Sequence, residues 1–355
     1  MLGRGGVADA VSAQAWLDGM LAFEMSLAQA QARAGMITDA EAHAVARACV
    51  RDFDPAEIGA GAGEIGNPAG PLVKALKART DAVHRGATSQ DVVDTAAMLV
   101  TREALKVIRA DLRGAADAAA DLARAHRDTP IIGRTLLQHA VPTTFGLKAA
   151  GWMTGLDEAR AGLERLRLSV QLGGAAGTLA GNSLDVLREL ARELVLDEPV
   201  LPWHTLRGRI GELAGALGVA AGAVAKPARD VVLLSQNEVA EVREAVGGGS
   251  TAMPHKHNPV AAISALACAQ QAPGYVANLL AAMVQEHERA AGAWHSEWRP
   301  LSVLLITVGS AAAWLRASLE GLEVDTERMR ANLGDTDPDP GEAPRLVDRA
   351  LEARP

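Results

Sequence analysis

The residues Gly249-Ser250-Thr251-Ala252-Met253-Pro254-His255-Lys256-His257-Asn258-Pro259 bring two hydroxyls, an ammonium group and a carboxamide together behind a run of glycines at 247–249. Glycine permits backbone angles closed to other residues, so such a loop can bend sharply and turn its N–H groups onto an anion. Ser250 stands where a mobile hydroxyl can reach a substrate carbon. Lys256 and Asn258 lie close enough to converge on a carboxylate, while Pro254 and Pro259 limit the conformations that the free loop gives up on binding. A serine hydroxyl is a poor base by itself, so Ser250 needs the Lys256 charge or the loop dipoles before it can move a proton. The same composition also describes a solvated linker between helices.

Further polar clusters recur along the chain. In His84-Arg85-Gly86-Ala87-Thr88-Ser89-Gln90-Asp91, short donors precede a helical pattern. A helix N-terminus carries unpaired N–H groups and partial positive charge, which favours a bound carboxylate. One hydroxyl there is explained as an N-cap, and His84 beside the donors is either an acid or electrostatic group or an ordinary histidine. In the segment from Gly133 to Thr144, Gln138 and His139 stand just before Pro142, which reads as the start of a helix and would hold His139 at its mouth. A histidine so placed can transfer a proton near neutral pH, or is simply capped by backbone. Glu238 and Glu241, three apart in a segment read as helical, share a face, so one can orient a histidine while the other is solvated. The segment Gln285–Trp298 is dense in His, Glu, Arg and Trp, but the H-E-x-x-H spacing is absent and no metal site is expected.

These clusters need long elements to position them. With 355 residues, 49% hydrophobic and only 3% aromatic, the chain is rich in alanine, leucine, valine and glycine, a composition suited to closely packed helices. Apolar positions recur at helical spacing from Ser12 to Ala34 and again from Ala40 to Val50. The glycine-rich run from Gly59 to Pro71 lacks a G-K-[ST] ending and reads as a connector. Long helices are expected over Asp91–Arg127, Pro142–Leu172, Leu206–Val246 with a kink at Pro227, Val260–Arg289 and Leu301–Leu319. No period-two strand pattern stands out, and the tail from Asp335 reads as a weakly packed terminus with a short helix. The expectation is an all-α long-helix bundle: a small N-terminal helical domain over 1–90, a central bundle over 91–320 and a C-terminal segment over 321–355.

A net charge of −8 argues against a nucleic-acid or anionic-membrane surface. The cysteines, Cys49 and Cys268, sit in apolar helical patterns without metal-ligand spacing, and the N-terminus shows no signal-peptide pattern, so a reduced cytoplasmic setting is expected.

Taken together, GSTAMPHKHNP, HRGATSQDVVDTA, GRTLLQHAVPTTFGLKAAGW and MVQEHERAAGAWHSEW resemble the separated homology regions of the fumarase/aspartase superfamily over about Trp16 to Leu333. The loop departs from that family's usual G-S-S-x-M-P-x-K-x-N-P only at Thr251. Within the superfamily the chain is most similar to the lactonising branch, the 3-carboxy-cis,cis-muconate cycloisomerases of protocatechuate breakdown. Adenylosuccinate lyases commonly have a histidine directly after G-R-T, where this chain has Leu136, and Trp294 and Trp298 match the lactonising branch better.

The resemblance implies addition or elimination beside a carboxylate through an aci-carboxylate intermediate, whose extra charge calls for aimed donors. It implies Ser250, His139, Lys256 and His84 as catalytic groups, with Ser250 and His139 both open as the proton donor. It further implies Thr88, Ser89, Gln90, Arg134, Gln138, Thr251, Met253, Asn258 and Arg289 around a small polycarboxylate, with Glu238 and Glu241 in support and no cofactor. It implies a homotetramer in which each site draws on three subunits, and a C-terminal domain shorter than the family's. A lyase releasing fumarate, or a non-catalytic homologue, are the alternatives.

Overall fold

The computed structural model describes residues 3–50, 52–245, 248–249, 253 and 256–354. The chain opens with a single turn, α1 (Val7–Ala10), then α2 (Ala13–Arg33) and α3 (Asp39–Cys49). Ser12 caps α2 by accepting from the Ala15 N–H, and Thr38 with Glu41 forms a capping box on α3, so both helices begin where their sequence patterns place them.

The run read as a connector is instead helical: α4 (Pro55–Ile65) and α5 (Ala69–Lys77). Asp54 caps α4, Pro55 occupies its first turn, and Gly66, at φ +82°, ends it in the left-handed region. Two of the glycines serve close packing, since a Cβ on Gly61 would meet Pro71 Cγ at 2.9 Å and one on Gly70 would meet Ile65 Cγ2 at 2.6 Å. At these two positions packing offsets the roughly 1 kcal/mol of helix propensity that a glycine gives up against alanine.

The bundle is organised around α6 (Ser89–Ala125), 37 residues long. A hairpin follows it, β1 (Pro130–Thr135) and β2 (Gln138–Thr144), antiparallel with Ile131 opposite Thr143 and Arg134 opposite His139. The pairing consumes the residues expected to open the next helix, so α7 runs only over Phe145–Glu164, capped by the Thr144 hydroxyl. Pro142 lies in β2 rather than at a helix start, and Leu172 lies in extended chain before α8 (Leu184–Leu194), a helix absent from the sequence reading.

The next helix, α9 (Gly208–Leu234), contains Pro227 but ends well before Val246. The chain turns there, with Ala240 at φ +50°, into β3 (Val242–Glu244). Short strands β4 (Gly248–Gly249) and β5 (His257–Asn258) pair across the signature loop. The single helix expected over 260–289 is two, α10 (Val260–Ala269) and α11 (Ala272–Ala281), broken at Gln270–Gln271 with Pro273 in the first turn of the second. Helix α12 (Ala293–Glu320) starts earlier than expected and carries Trp294 and Trp298. It is long and apolar enough to cross a membrane, but two-thirds of its most apolar stretch is buried in the bundle.

The strand β6 (Leu322–Val324) pairs with β3 and leads to α13 (Thr326–Leu333) and α14 (Ala343–Glu352). The tail is docked, correcting the expectation of a weakly packed terminus. Val347 is fully buried, Arg127 grips Asp348 with two bonds of 2.7 and 2.6 Å, and Arg354 reaches Asp157 at 2.9 Å and Asp117 at 2.6 Å.

Alanine dominates where helices cross. Ala115, Ala116, Ala119, Ala120 and Ala123 of α6 are fully buried, and such small side chains let neighbouring axes approach closely. A second apolar cluster joins α2, α3, α8 and the first half of α6. Both cysteines are buried, Cys49 there and Cys268 in the main core, and burial, with the Glu24 charge adding to it, pushes the Cys49 thiol up to about 12.

Gly146 lies in the first turn of α7, where a Cβ would meet the His126 carbonyl oxygen at 2.6 Å and the Arg127 Cα at 2.7 Å. Gly146→Ala is therefore expected to lower stability by about 1–3 kcal/mol despite alanine's better helix propensity. Gly63→Ala, which meets nothing within 4 Å, should leave stability equal or slightly raised. Urea unfolding of the two variants beside the parent measures the contrast, and equal midpoints would remove the packing argument.

Candidate functional site

At the N-terminal end of α6, Thr88 is the N-cap and its N–H donates to the Asp91 carboxylate at 3.0 Å. Asp91 is buried and also accepts from the N–H groups of Gly173 and Gly174, both at 3.0 Å, while His204 Nε2 lies 2.6 Å away. The carboxylate thus ties a glycine turn across the helix mouth. Ser89, half-buried in the first turn, has no hydrogen-bonding partner for its hydroxyl among the described residues. Upstream, His84 Nδ1 contacts Glu24 at 2.6 Å, and the peptide after it is held by Gln31 through the Arg85 carbonyl at 2.8 Å. A hydroxyl, an imidazole and a helix N-terminus side by side are groups that favour an anion.

Gln90 and Arg289 have narrower roles than the sequence suggests. The Gln90 amide donates to Asp94 at 3.1 Å and to the His204 carbonyl at 2.8 Å, and its oxygen accepts from Arg289 at 3.1 Å, so the buried side chain is spent on the protein. In this arrangement Gln90 braces the helix mouth against the His204 segment and Arg289. Arg289 also donates to the Gly174 carbonyl at 2.6 Å. Burial pulls its guanidinium below the ordinary value, with Asp91 and Asp94 opposing.

Beneath the helix mouth lies an ionic network that sequence reasoning missed. Arg207 binds Asp94 through two bonds of 2.8 and 3.1 Å and Glu297 at 3.0 Å, and all three side chains are buried. Trp294 Nε1 donates to Asp94 at 2.9 Å, and Gln285 donates to Glu297 at 2.9 Å. Burial disfavours the Arg207 charge, but the two carboxylates outweigh it and hold the guanidinium above its usual value. Burial pushes Glu297 up, with Arg207 opposing. The one local signal was the Gln90–Asp94 spacing of four along α6; the partners 113 and 90 positions away from Arg207 leave no local trace.

The remaining polar motifs sit at the other end of the bundle. Arg134 on β1 forms a two-bond pair with Glu241 at 2.9 and 2.8 Å, and Asn332 donates to the same carboxylate at 2.8 Å. Arg134, expected to hold substrate, is therefore committed to a buried carboxylate. Glu238 is exposed while Glu241 is buried, so the expected shared helical face is also corrected: the chain leaves α9 before reaching either residue. Gln138 and His139 are exposed on β2, beyond a turn in which Leu136 and Leu137 take φ of +52° and +65°.

Around the signature loop, Asn258 Nδ2 donates to the Gly248 carbonyl at 3.2 Å, and Lys256 is exposed, as is Met253. Glu244, unnoticed in the sequence, accepts from the Ala261 and Ala262 N–H groups at 3.0 and 2.8 Å and from Ser318 at 2.6 Å, anchoring the loop's exit onto α10. Ser250 and Thr251 lie outside the described residues.

Helix α6 keeps the two sets apart. Its 37 residues span about 55 Å at 1.5 Å per residue, with Thr88 at one end and the hairpin just past the other. The Arg134–Glu241 pair ties the approach to the signature loop to the hairpin's end. Within one chain, Thr88 and His139 therefore cannot touch the same small molecule.

A family model described as lyase matches residues 6–274. The chain is 48% identical to a 3-carboxy-cis,cis-muconate cycloisomerase of Bradyrhizobium diazoefficiens, covering 95% of this chain and 78% of that one. It is 46% identical to a nitrosuccinate lyase of Streptomyces davaonensis, covering 91% and 74% respectively. The structure of a 3-carboxy-cis,cis-muconate lactonizing enzyme from Pseudomonas putida superposes with a TM-score of 0.89 at 39% identity, over 99% of this chain and 86% of that one.

Replacing Arg207 by methionine leaves Asp94 and Glu297 buried without their cation, and the expected loss is about 3–5 kcal/mol. Denaturant unfolding monitored by tryptophan fluorescence reads it. A loss below about 1 kcal/mol, the value of an exposed ion pair, would show that the network does not brace this end of the bundle.

Proposed function

The chain belongs to the fumarase/aspartase superfamily of lyases, and from that membership we propose that it is a cycloisomerase converting 3-carboxy-cis,cis-muconate to 4-carboxymuconolactone. The observation that carries this reading is the 48% identity to a cycloisomerase across nearly the whole chain. In the reaction, one substrate carboxylate attacks a double-bond carbon of the same molecule and forms a C–O bond. The π electrons move to the neighbouring carbon and into its own carboxylate as an aci-carboxylate. A proton delivered to that carbon completes the lactone, so atoms and charge balance within the substrate and one proton donor. Tethering nucleophile and alkene in one molecule supplies much of the rate, and the protein's task is to hold charge and move a proton.

Thr88 and Ser89 at the α6 N-terminus, with His84 beside them, hold one carboxylate, and Arg289 keeps the Gly174 turn in place above. Lys256 and Asn258, with Thr251 and Met253 on the same loop, face the developing aci-carboxylate. Ser250 and His139 are the two candidate proton donors, and Gln138 flanks the latter. Because α6 separates these groups within one chain, the complete site takes the cradle of one copy and the hairpin and loop of others, in a homotetramer. Leu136, Leu137 and Val141, exposed by 97, 74 and 77% at and beside the hairpin turn, support burial of that turn against another subunit. Two buried cysteines in apolar helical surroundings fit a reducing, cytoplasmic setting.

The 46% identity to a nitrosuccinate lyase favours one second reading, elimination from a substituted succinate through the same aci-carboxylate. Incubation with 3-carboxy-cis,cis-muconate, followed by ultraviolet loss of the diene, is expected to show turnover. Absence of that loss together with fumarate release from nitrosuccinate would select the lyase instead.

His84→Gln and His139→Ala are each expected to lower kcat by about 10²–10⁴. Co-expressed, the two inactive chains should regain measurable activity, because mixed tetramers contain sites built from the intact cradle of one variant and the intact hairpin of the other. Failure of the mixture to exceed either parent would refute the shared site.

A further inference from the structure

Helix α2 carries a carboxylate that the proposed chemistry does not use. Glu24 is 1% exposed, its only hydrogen-bonding partner among the described residues is His84 Nδ1 at 2.6 Å, and its Oε2 has none. A lone buried carboxylate is costly, so its retention in an apolar cluster with Phe23 and Leu27 needs a reason. Seven residues on, two turns along the same helix face, buried Gln31 donates to the Arg85 carbonyl at 2.8 Å and to Asn182 at 2.7 Å. Together Glu24 and Gln31 grip the ring of a residue held at φ +61° and the carbonyl of the residue after it, and such a backbone conformation persists only where surroundings enforce it.

With Glu24 ionised its carboxylate only accepts, and the hydrogen between the two groups then resides on Nδ1. Nε2 is then the nitrogen left without a protein partner among the described residues, on a side chain that remains 13% exposed. Free histidine favours the opposite tautomer, with hydrogen on Nε2. We propose that Glu24 is a positioning residue: it locks His84 as the Nδ1–H tautomer and presents Nε2 to the polycarboxylate bound at the α6 N-terminus. The inference rests on the cradle assignment above and adds to it the group that sets which nitrogen faces the ligand, the role that a third group plays for an oriented acid or base.

The test uses the full chain with ¹⁵N-labelled histidine, the His84 signals being identified by their loss in His84→Gln. Neutral His84 is expected to show the Nδ1–H pattern of ¹⁵N shifts in the parent protein. Glu24→Gln, whose amide oxygen still accepts, should keep that pattern, and Glu24→Ala should reverse it. In kinetics, Glu24→Ala is expected to lower kcat by about 10- to 100-fold with little change in KM, and Glu24→Gln to recover most of the loss. An Nε2–H pattern for His84 in the parent overturns the proposal even if neither Glu24 variant folds. So does a Glu24→Ala protein with unchanged tautomer or unchanged kcat. The spectra need no substrate, so absence of diene turnover by the parent would sink the cycloisomerase reading while the tautomer still decides the role of Glu24.

Discussion

An unbroken helix of 37 residues holds the chemically equipped ends of this chain about 55 Å apart, and most other features follow from that separation. Beyond Leu112 its buried face is alanine alone, the residue of highest helix propensity and one small enough to let neighbouring helices pack close along it. Such a rod cannot fold back to bring its two ends to one ligand. In the homotetramer proposed above, other copies supply what each end lacks, and the exposed leucines of the hairpin turn support that reading.

Buried carboxylates organise both ends. Asp91 collects the Thr88, Gly173 and Gly174 N–H groups, Glu241 takes Arg134 and Asn332, and Glu244 takes the first N–H groups of α10 and the Ser318 hydroxyl. A carboxylate out of water is costly unless its lone pairs are satisfied, and satisfying them fixes the elements that supply the donors. Several polar residues of the sequence motifs are accordingly consumed as structure, Gln90 and Arg134 among them. Those left accessible, Ser89, His139 and Lys256, stand on the backbone that the carboxylates hold. The Asp94–Arg207–Glu297 network extends the same logic one layer deeper, tying α6 to α12 and to the start of α9.

Elements bounded by their own side chains were readable. Helices α2, α3 and α6 begin at Ser12, Thr38 and Thr88, residues whose side chains or positions mark an N-terminus, and their apolar positions repeat at 3.6. Elements decided by contacts remote in sequence were not. Ile131 opposite Thr143 looks like neither strand nor helix until the pairing exists, and the glycines of α4 and α5 read as a loop until their lack of side chains is seen to permit close packing. Glu241 was noticed, yet its place on a helix face was an extrapolation of α9 through residues where the chain turns.

The sequence alone determined the superfamily, the all-helical architecture and the identity of the polar motifs, because those rest on local periodicity, capping chemistry and short runs whose residue types specify an anion site. Tertiary structure alone decided which of the described motif residues are already paired, and that the polar motifs lie at opposite ends of one helix. Pairing energies depend on distances of a few ångströms between residues about a hundred positions apart, as with Arg207 and Asp94 or Arg134 and Glu241, and no local pattern encodes such distances.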